Sequence, residues 1–298
     1  MTTLPTRPLG NTGLQVTTLG FGAMELRGAP RGPEISDAEA GTLLNAVLDA
    51  GINFIDTSID YGRSEERIGK FIAHRRSEYV LASKCGCVPG STSGEHVHTP
   101  ENIRTGVENS LRLLRTDHLD LVQFHRSLTR QEFEESGALA EAMKLKAEGK
   151  VRFVGVSGTL PQLEEQIAMG VFDAFQIPYS ALQPEHEAVI AKASAAGAGI
   201  VIRGGVARGS VTDWDNRTYY MVTADELKRR WEQAHLDDLL DGMSRIEFML
   251  RYTLSLPALD TTIVGTRDAQ HLLANIETAA KGPLPAEMLA EATRRLAR

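Results

Sequence analysis

Gly51-Ile52-Asn53-Phe54-Ile55-Asp56-Thr57-Ser58-Ile59-Asp60-Tyr61-Gly62-Arg63-Ser64-Glu65-Glu66-Arg67 is the stretch whose reading decides the fold. Phe54 and Ile55 read as core strand, after which Asp56, Thr57, Ser58 and Asp60 crowd polar groups where the strand stops. Ser64-Glu65-Glu66 then opens a helix, with Ser64 as its N-cap and two acidic residues in the first turn to suit the helix dipole. Capping explains Ser64 and its neighbours but leaves Asp56 and Tyr61 without a role. A strand-to-helix junction of this kind is where parallel barrels keep their reactive side chains.

Outward from this unit the alternation continues in both directions. Leu9 to Val16, around Asn11-Thr12-Gly13, reads as a hairpin that caps something. Thr18 to Met24 is a buried strand, and Ser36-Asp37-Ala38-Glu39 opens an amphipathic helix that closes at Gly51. Downstream come strand 79–84 with a helix from Pro100 to Arg115, strand 119–125 with helix 135–149, and strand 151–157 with a helix starting near Pro161. Strand 174–180 with helix 184–196 and strand 199–203 follow. An irregular insertion from Gly204 leads to helices near 225–240 and 244–256, then strand 261–266, helix 268–280 and a terminal helix 285–298. Eight strand–helix units with β-branched apolar strands predict parallel strands closed as a (β/α)8 TIM barrel. The expected organisation is one domain over 1–298, with an N-terminal β-hairpin cap (1–16), a long insertion (204–243) after strand seven, and extra C-terminal helices. No Gly-x-Gly-x-x-Gly follows an early strand, which disfavours a Rossmann unit.

The 298 residues are 42% hydrophobic and 24% charged, an ordinary globular composition. A formal net charge of −7 argues against nucleic acid or an anionic membrane as the main partner, so the expected partner is a small molecule. The start lacks the basic flank and apolar core of a signal peptide, and no run approaches the roughly 18 apolar residues of a membrane span. Cys85 and Cys87 lie too close in sequence for an ordinary stabilising disulfide. A cytoplasmic location is therefore expected.

In a parallel barrel the carboxyl ends of all strands open on one face. The residues gathered there are Asp56, Lys84, His125, Ser157, Gln176, Arg203 and Thr266, with Tyr61 just past the second strand. A tyrosine with an ordinary pKa of about 10 is a poor proton donor at neutral pH, and a neighbouring ammonium would stabilise its phenolate. Lys84 supplies that charge, Asp56 would keep it charged and aimed, and His125 would bond a substrate oxygen or share the proton transfer. Such a unit protonates a carbonyl oxygen as hydride reaches the carbon. None of these four side chains carries hydride, so the chemistry requires a nicotinamide cofactor.

The motifs Leu9-Gly10-x-Thr12-Gly13-Leu14-x-Val16, Leu19-Gly20-Phe21-Gly22-Ala23, Gly51-x-Asn53-x-x-Asp56-Thr57-Ser58-x-x-Tyr61-Gly62, Ser83-Lys84, Asp120-Leu121-x-Gln123-x-His125, Gly155-Val156-Ser157 and Gln176-x-x-Tyr179-Ser180 run through nearly the whole chain. In them the sequence resembles the aldo-keto reductases. The resemblance implies a catalytic tetrad of Asp56, Tyr61, Lys84 and His125, with Tyr61 as general acid, acting on a carbonyl or alcohol substrate. It also implies that Ser157 and Gln176 bind the nicotinamide carboxamide. Gly265-Thr266-Arg267 with His271 and Asn275 would form the adenosine-phosphate site, Arg267 pairing with a 2′-phosphate. That favours NADP(H), with NAD(H) also allowed. The N-terminus of helix 268–280 is expected to attract anions.

The chain departs from that family pattern at three places. Gly158 stands where Asn is usual, Arg203-Gly204-Gly205-Val206-Ala207-Arg208-Gly209 stands where many members have an aromatic residue, and His271 stands where Gln or Arg is frequent. Arg203 would stack on the nicotinamide, or Arg203 and Arg208 would bind the pyrophosphate, the second role being favoured for Arg208. Cys85-x-Cys87 with His96-x-His98 has the residue types of a Cys2His2 zinc site, but the cysteine spacing is short and Lys84 repels a cation. No metal is expected. The loop 89–99 is expected to be mobile at the substrate entrance, with Cys85 and Cys87 packed near the active site. Trp214, Tyr219 and Tyr220 would line the pocket or lie under their loop. A cofactor-binding redox sensor on the same fold, like the β subunits of potassium channels, and a sugar or alcohol dehydrogenase are the alternative functions. The oligomeric state is not readable.

Overall fold

The computed structural model describes residues 3–30, 32–91, 95–213 and 222–297. Strands β1 (Thr6–Pro8) and β2 (Gln15–Thr17) pair as an antiparallel hairpin. Then follow β3 (Leu19–Gly22), α1 (Asp37–Asp49), β4 (Phe54–Asp56), α2 (Ser64–Phe71), β5 (Val80–Cys85), α3 (Pro100–Leu114) and β6 (Leu119–His125). Next come α4 (Arg130–Ser136), α5 (Ala138–Ala147), β7 (Val151–Ser157), α6 (Gln162–Met169), β8 (Ala174–Pro178), α7 (Glu187–Ala195) and β9 (Gly199–Arg203). The chain ends with α8 (Ser210–Asp213), α9 (Ala224–Gln233), α10 (Arg245–Leu254), β10 (Thr261–Val264), α11 (Ala269–Ala280) and α12 (Ala286–Leu296). Strands β3 to β10 form a closed barrel in chain order, β10 pairing with β3 in parallel. Among the described residues no helix is long and apolar enough to cross a membrane.

The period of two along each strand sorts side chains between two cores. Phe54, Val80, Ala82, Leu121, Ala174 and Val201 fill the barrel interior, while Ile55, Leu81, Val122, Val156, Phe175, Ile200 and Ile202 belong to the larger core that includes the helices. The same inward files end in polar groups at the carboxyl ends: Phe54 is followed by Asp56, Ala82 by Lys84, Leu121 by Gln123 and His125, Ala174 by Gln176, Val201 by Arg203. At the opposite end, Leu9, Leu14 and Val16 of the hairpin join the interior core and close the floor. Gly10 is held there at φ +48, where a Cβ would sit 2.3 Å from the Gly199 nitrogen, and its N–H donates to Asp260 Oδ2 at 3.0 Å. The N-terminal hairpin cap is thus borne out.

Local chemistry explains where boundaries differ from expectation. Ser64 does not cap α2: it is the first helical residue, its hydroxyl donating to the Ala23 carbonyl and lying 2.9 Å from Thr57 Oγ1. That bond ties the β4–α2 junction to the end of β3, where the chain leaves the strand early for a short 3-10 turn at Ala23–Leu26. The helix expected over 135–149 is split by Gly137 at φ 71, because Thr129 and Glu132 form a capping box that starts α4 earlier. α7 begins later than Pro184, since Ser180 and Gln183 bond each other's backbone across a tight turn.

A buried carboxyl group lies outside the barrel wall. Glu65 of α2 accepts from Ser83 Oγ at 2.6 Å, and burial pushes its carboxyl up to about 7 from an ordinary 4.5. The folded chain therefore holds this proton more tightly than the unfolded chain does, so stability falls as pH rises from about 4.5 through about 7. The expected loss from this group is on the order of 3 kcal/mol. Glu65→Gln should show little stability change in mildly acidic buffer and a gain in mildly alkaline buffer, read from thermal melts. A difference that does not grow with pH would refute the buried-acid assignment.

Candidate active site

The residues that end the strands converge at the carboxyl face of the barrel. Lys84 and Asp56 are its deepest charges, with side chains only 1% and 2% exposed, and Lys84 Nζ lies 2.6 Å from Asp56 Oδ2. Nζ also donates to the Thr57 carbonyl at 2.8 Å. Asp56 Oδ1 accepts from Gln123 Nε2 at 2.9 Å and from Gln176 Nε2 at 2.8 Å, so this carboxylate is bonded on both oxygens. Burial opposes the Lys84 charge, but the Asp56 carboxylate and then Tyr61 outweigh it and hold the ammonium above the ordinary lysine range. Lys84 is therefore a fixed cation at every physiological pH.

Tyr61 stands over this cation, with Lys84 Nζ 5.1 Å from its ring centroid. Its backbone is set by a turn in which Tyr61 N donates to the Ser58 carbonyl, and by Gly62 at φ +49, where a Cβ would come 2.5 Å from the Arg27 carbonyl oxygen. The His125 ring meets Tyr61 edge to face at 6.2 Å. Burial, and then the charges of Lys84, Arg203 and Arg126 together with His96, push the His125 pKa well below the ordinary histidine range. A neutral imidazole results, suited to hydrogen bonding an oxygen rather than to holding a proton of its own charge. Its Nδ1 is engaged with Cys87 Sγ at 3.1 Å. The four residues expected to act together are thus brought together.

A cavity of about 220 Å³ opens beside them, lined by Tyr61, His125, Ser157, Gly158, Gln176 and Arg203, with Arg126, Ser127 and Thr159 at its side. Ser157 Oγ donates to Gln176 Oε1 at 3.0 Å, so Gln176 links Ser157 to Asp56 in one chain of hydrogen bonds. The absence of an Asn after Ser157 has a steric reason. A Cβ on Gly158 would lie 2.6 Å from Ser127 Oγ, which accepts from Thr159 N at 2.7 Å. Gly158→Ala is expected to cost about 1–3 kcal/mol. Combining it with Ser127→Ala should cost less than the two single changes summed, in a double-mutant cycle read by urea unfolding. Strict additivity would show that the contact is not the constraint. Arg203, buried at the end of β9, donates from Nη2 to the Gly158 carbonyl at 3.3 Å. The Arg208 side chain and Trp214, Tyr219 and Tyr220 lie outside the described residues.

The second expected cluster lies in the β10–α11 loop and on α11, and it does not line that cavity. Gly265 packs tightly on β3, where a Cβ would meet the Gly22 carbonyl oxygen at 2.6 Å. Thr266 and Asn275 are buried, His271 is exposed, and exposed Arg267 donates from Nη1 to the Glu34 carbonyl at 3.4 Å. The α11 N-terminus is not the open anion site expected. Asp268 caps it, accepting from Gln270 N at 2.7 Å and His271 N at 3.2 Å, so those amides already face a carboxylate.

The Cys85, Cys87, His96 and His98 set is not assembled. Cys85 belongs to the outer core, Cys87 turns into the mouth, and His98 packs against Gly86 and Phe124. Of the pair expected near the site, only Cys87 is there. The described part of loop 89–99 is anchored, since Asn102 Nδ2 bonds the Gly86, Cys87 and Val97 carbonyls. Gln123 and Ser127 are site residues that sequence reasoning missed. Gln123 was findable: it stands two before His125 on the same strand and so on the same face.

A closed parallel barrel with a buried lysine–carboxylate pair beneath a tyrosine at its mouth defines a class of barrel oxidoreductase. The chain matches the model of the Aldo/keto reductase family over residues 18–295, and it belongs to that family. It is 28% identical over 285 residues to the "Uncharacterized oxidoreductase YqkF" of Bacillus subtilis (strain 168), covering 92% of this chain and 90% of the relative. It is 29% identical over 292 residues to the L-galactose dehydrogenase of Arabidopsis thaliana, covering 93% and 88%. Among solved structures, the holo form of aldo-keto reductase AKR11C1 from Bacillus halodurans superposes with a TM-score of 0.84 at 27% identity, covering 98% of this chain and 96% of the other.

Proposed function

We propose that this chain transfers hydride reversibly between NADP(H) and the carbonyl of an aldehyde or ketone, with Tyr61 as proton donor. The observation that carries the proposal is the buried Asp56–Lys84 pair, 2.6 Å apart, with its ammonium 5.1 Å from the Tyr61 ring. Family membership supports a nicotinamide cofactor, which when bound supplies the hydride. This chain's own residues fit a flat amide-bearing ring: Ser157 and Gln176 present a hydroxyl and an amide on adjacent strands, and Gly158 leaves the wall beside them without a side chain. Gln176 would share its amide between Asp56 and that ring, and neutral His125 would orient the substrate oxygen toward Tyr61. The test is a screen of aldehydes and ketones with NADPH and NADH side by side. Steady cofactor consumption supports the enzyme, whereas tight binding without turnover on any carbonyl supports the redox-sensor alternative. A relative named L-galactose dehydrogenase keeps alcohol oxidation as the second reading, tested by the same screen run with sugars and NADP+.

The preference for NADPH rests on Arg267, an exposed guanidinium at the start of α11. Arg267→Ala is expected to weaken NADPH binding by roughly 10- to 100-fold, the worth of a charge-assisted hydrogen bond. NADH binding should change by less than about 2-fold, because no 2′-phosphate is lost. Equal losses for both cofactors, measured by fluorescence titration, would place Arg267 away from the phosphate.

A further inference from the structure

The turn after β5 carries a constellation that proton donation does not use. Cys87 and His96 face each other across an antiparallel bridge, and Asn102 of α3 holds both arms through the Gly86, Cys87 and Val97 carbonyls, at 3.4, 3.3 and 2.7 Å. His125 closes one side. Its Nδ1 is 3.1 Å from Cys87 Sγ and 3.7 Å from Asp60 Oδ1, and its ring meets His96 edge to face at 4.9 Å. Asp60 arrives from the β4–α2 loop, where Ser58 Oγ donates to its Oδ1 at 2.5 Å. One ligand atom from each of Asp60, Cys87, His96 and His125 lies within 4.8 Å of all the others.

One sulfur, two imidazoles and one carboxylate form a donor set for a borderline cation such as Zn2+, and a poor one for Mg2+ or Ca2+. With metal bonds of about 2.0–2.3 Å, tetrahedral corners lie roughly 3.3–3.8 Å apart, so the four atoms need only close in by about 1 Å. Lys84 opposes a cation here, but its charge is already matched by Asp56, and a thiolate with Asp60 balances a divalent ion. The set differs from the Cys2His2 pattern in the sequence because Gly86 at φ +89 breaks the strand alternation after Cys85: Cys87 reaches His125 at the mouth, beside His96, while Cys85 stays in the outer core.

We propose that Asp60, Cys87, His96 and His125 form a binding site for a Zn2+-type divalent cation, and that its occupancy inhibits by pinning His125 through Nδ1. On binding, the Cys87 S–H proton leaves to solvent as the sulfur–metal bond forms, while His125 keeps its single proton on Nε2; no electron is transferred. The binding half stands apart from the proposed function, and the inhibitory half rests on it.

The test is titration of the chelator-treated protein with Co2+. One equivalent should give tetrahedral d–d bands together with a thiolate-to-cobalt charge-transfer band, both displaced by Zn2+. His96→Ala and Cys87→Ala should each weaken binding by more than roughly 100-fold, the upper range seen for loss of mere supporting residues. His98→Ala and Cys85→Ala should leave the spectrum intact, and circular dichroism checks the fold of each variant. A wild type without the charge-transfer band, or a band surviving in Cys87→Ala, overturns the site; because the wild-type band alone demands a cysteine ligand, the test holds even if one variant misfolds. Co2+ or Zn2+ binding with unchanged carbonyl turnover overturns the inhibitory half. Failure of the metal-free protein to turn over any carbonyl counts against the function proposed above and leaves the cobalt spectrum decisive for the site.

Discussion

Tyr61→Phe is expected to lose the proposed carbonyl reduction by about 10²- to 10⁴-fold, the usual worth of a positioned general acid, and to bind NADPH as tightly as the wild type. The separation of the two effects follows from what the substitution leaves behind. The phenyl ring still covers Lys84 Nζ and still meets His125 edge to face, so packing at the mouth is conserved and only the hydroxyl is lost. Ser157, Gly158 and Gln176, the wall residues proposed to meet the cofactor, are unchanged. Single-turnover reduction measured beside fluorescence titration of NADPH separates chemistry from binding. Turnover near that of the wild type would remove Tyr61 from the proton-donor role, and a parallel loss of cofactor affinity would show that the ring was structural.

Lys84→Met is expected to lower folding stability by about 3–5 kcal/mol, since one partner of a buried ion pair is removed and the other charge stays behind. Asp56 would keep its bonds from Gln123 and Gln176 but lose the ammonium 2.6 Å away. The double variant Asp56→Asn with Lys84→Met removes both charges and should recover much of that stability, while turnover stays low because Tyr61 no longer has an ammonium beneath it. Urea unfolding and turnover of the four proteins in the cycle check this. The pH dependence has a definite sign. The Lys84 pKa is raised on folding, so its stabilisation is complete below the ordinary lysine range and is lost only as pH climbs through the folded value. The gap between wild type and Lys84→Met should therefore be flat from mildly acidic to mildly alkaline pH. A single-variant cost under about 1 kcal/mol would mean the pair is solvated.

Much of this site was readable in advance, for reasons that differ from residue to residue. Asp56, Lys84 and His125 end strands, and strand ends in a parallel barrel share one face, so their convergence follows from the order of elements. Tyr61 follows from the turn after β4. Ser64 was misread because its hydroxyl has two tertiary partners, Ala23 and Thr57, that outcompete the local cap. The α11 N-terminus was misread for the opposite reason: Asp268, a purely local cap, occupies amides that the barrel position alone would offer to phosphate.

The sequence by itself determined the barrel, its hairpin floor and the residues that face its mouth, because alternation along a strand and capping at a helix end are local properties carried within a few residues. Only the tertiary structure decided what those residues do to one another. Gln123 and Gln176 share Asp56 from positions 67 and 120 residues away, Ser127 fills the space that makes residue 158 a glycine, and Cys87, rather than Cys85, reaches His125. Each of these depends on the register at which the strands close and on loop paths between them, and a contact across such separations leaves no period in the chain.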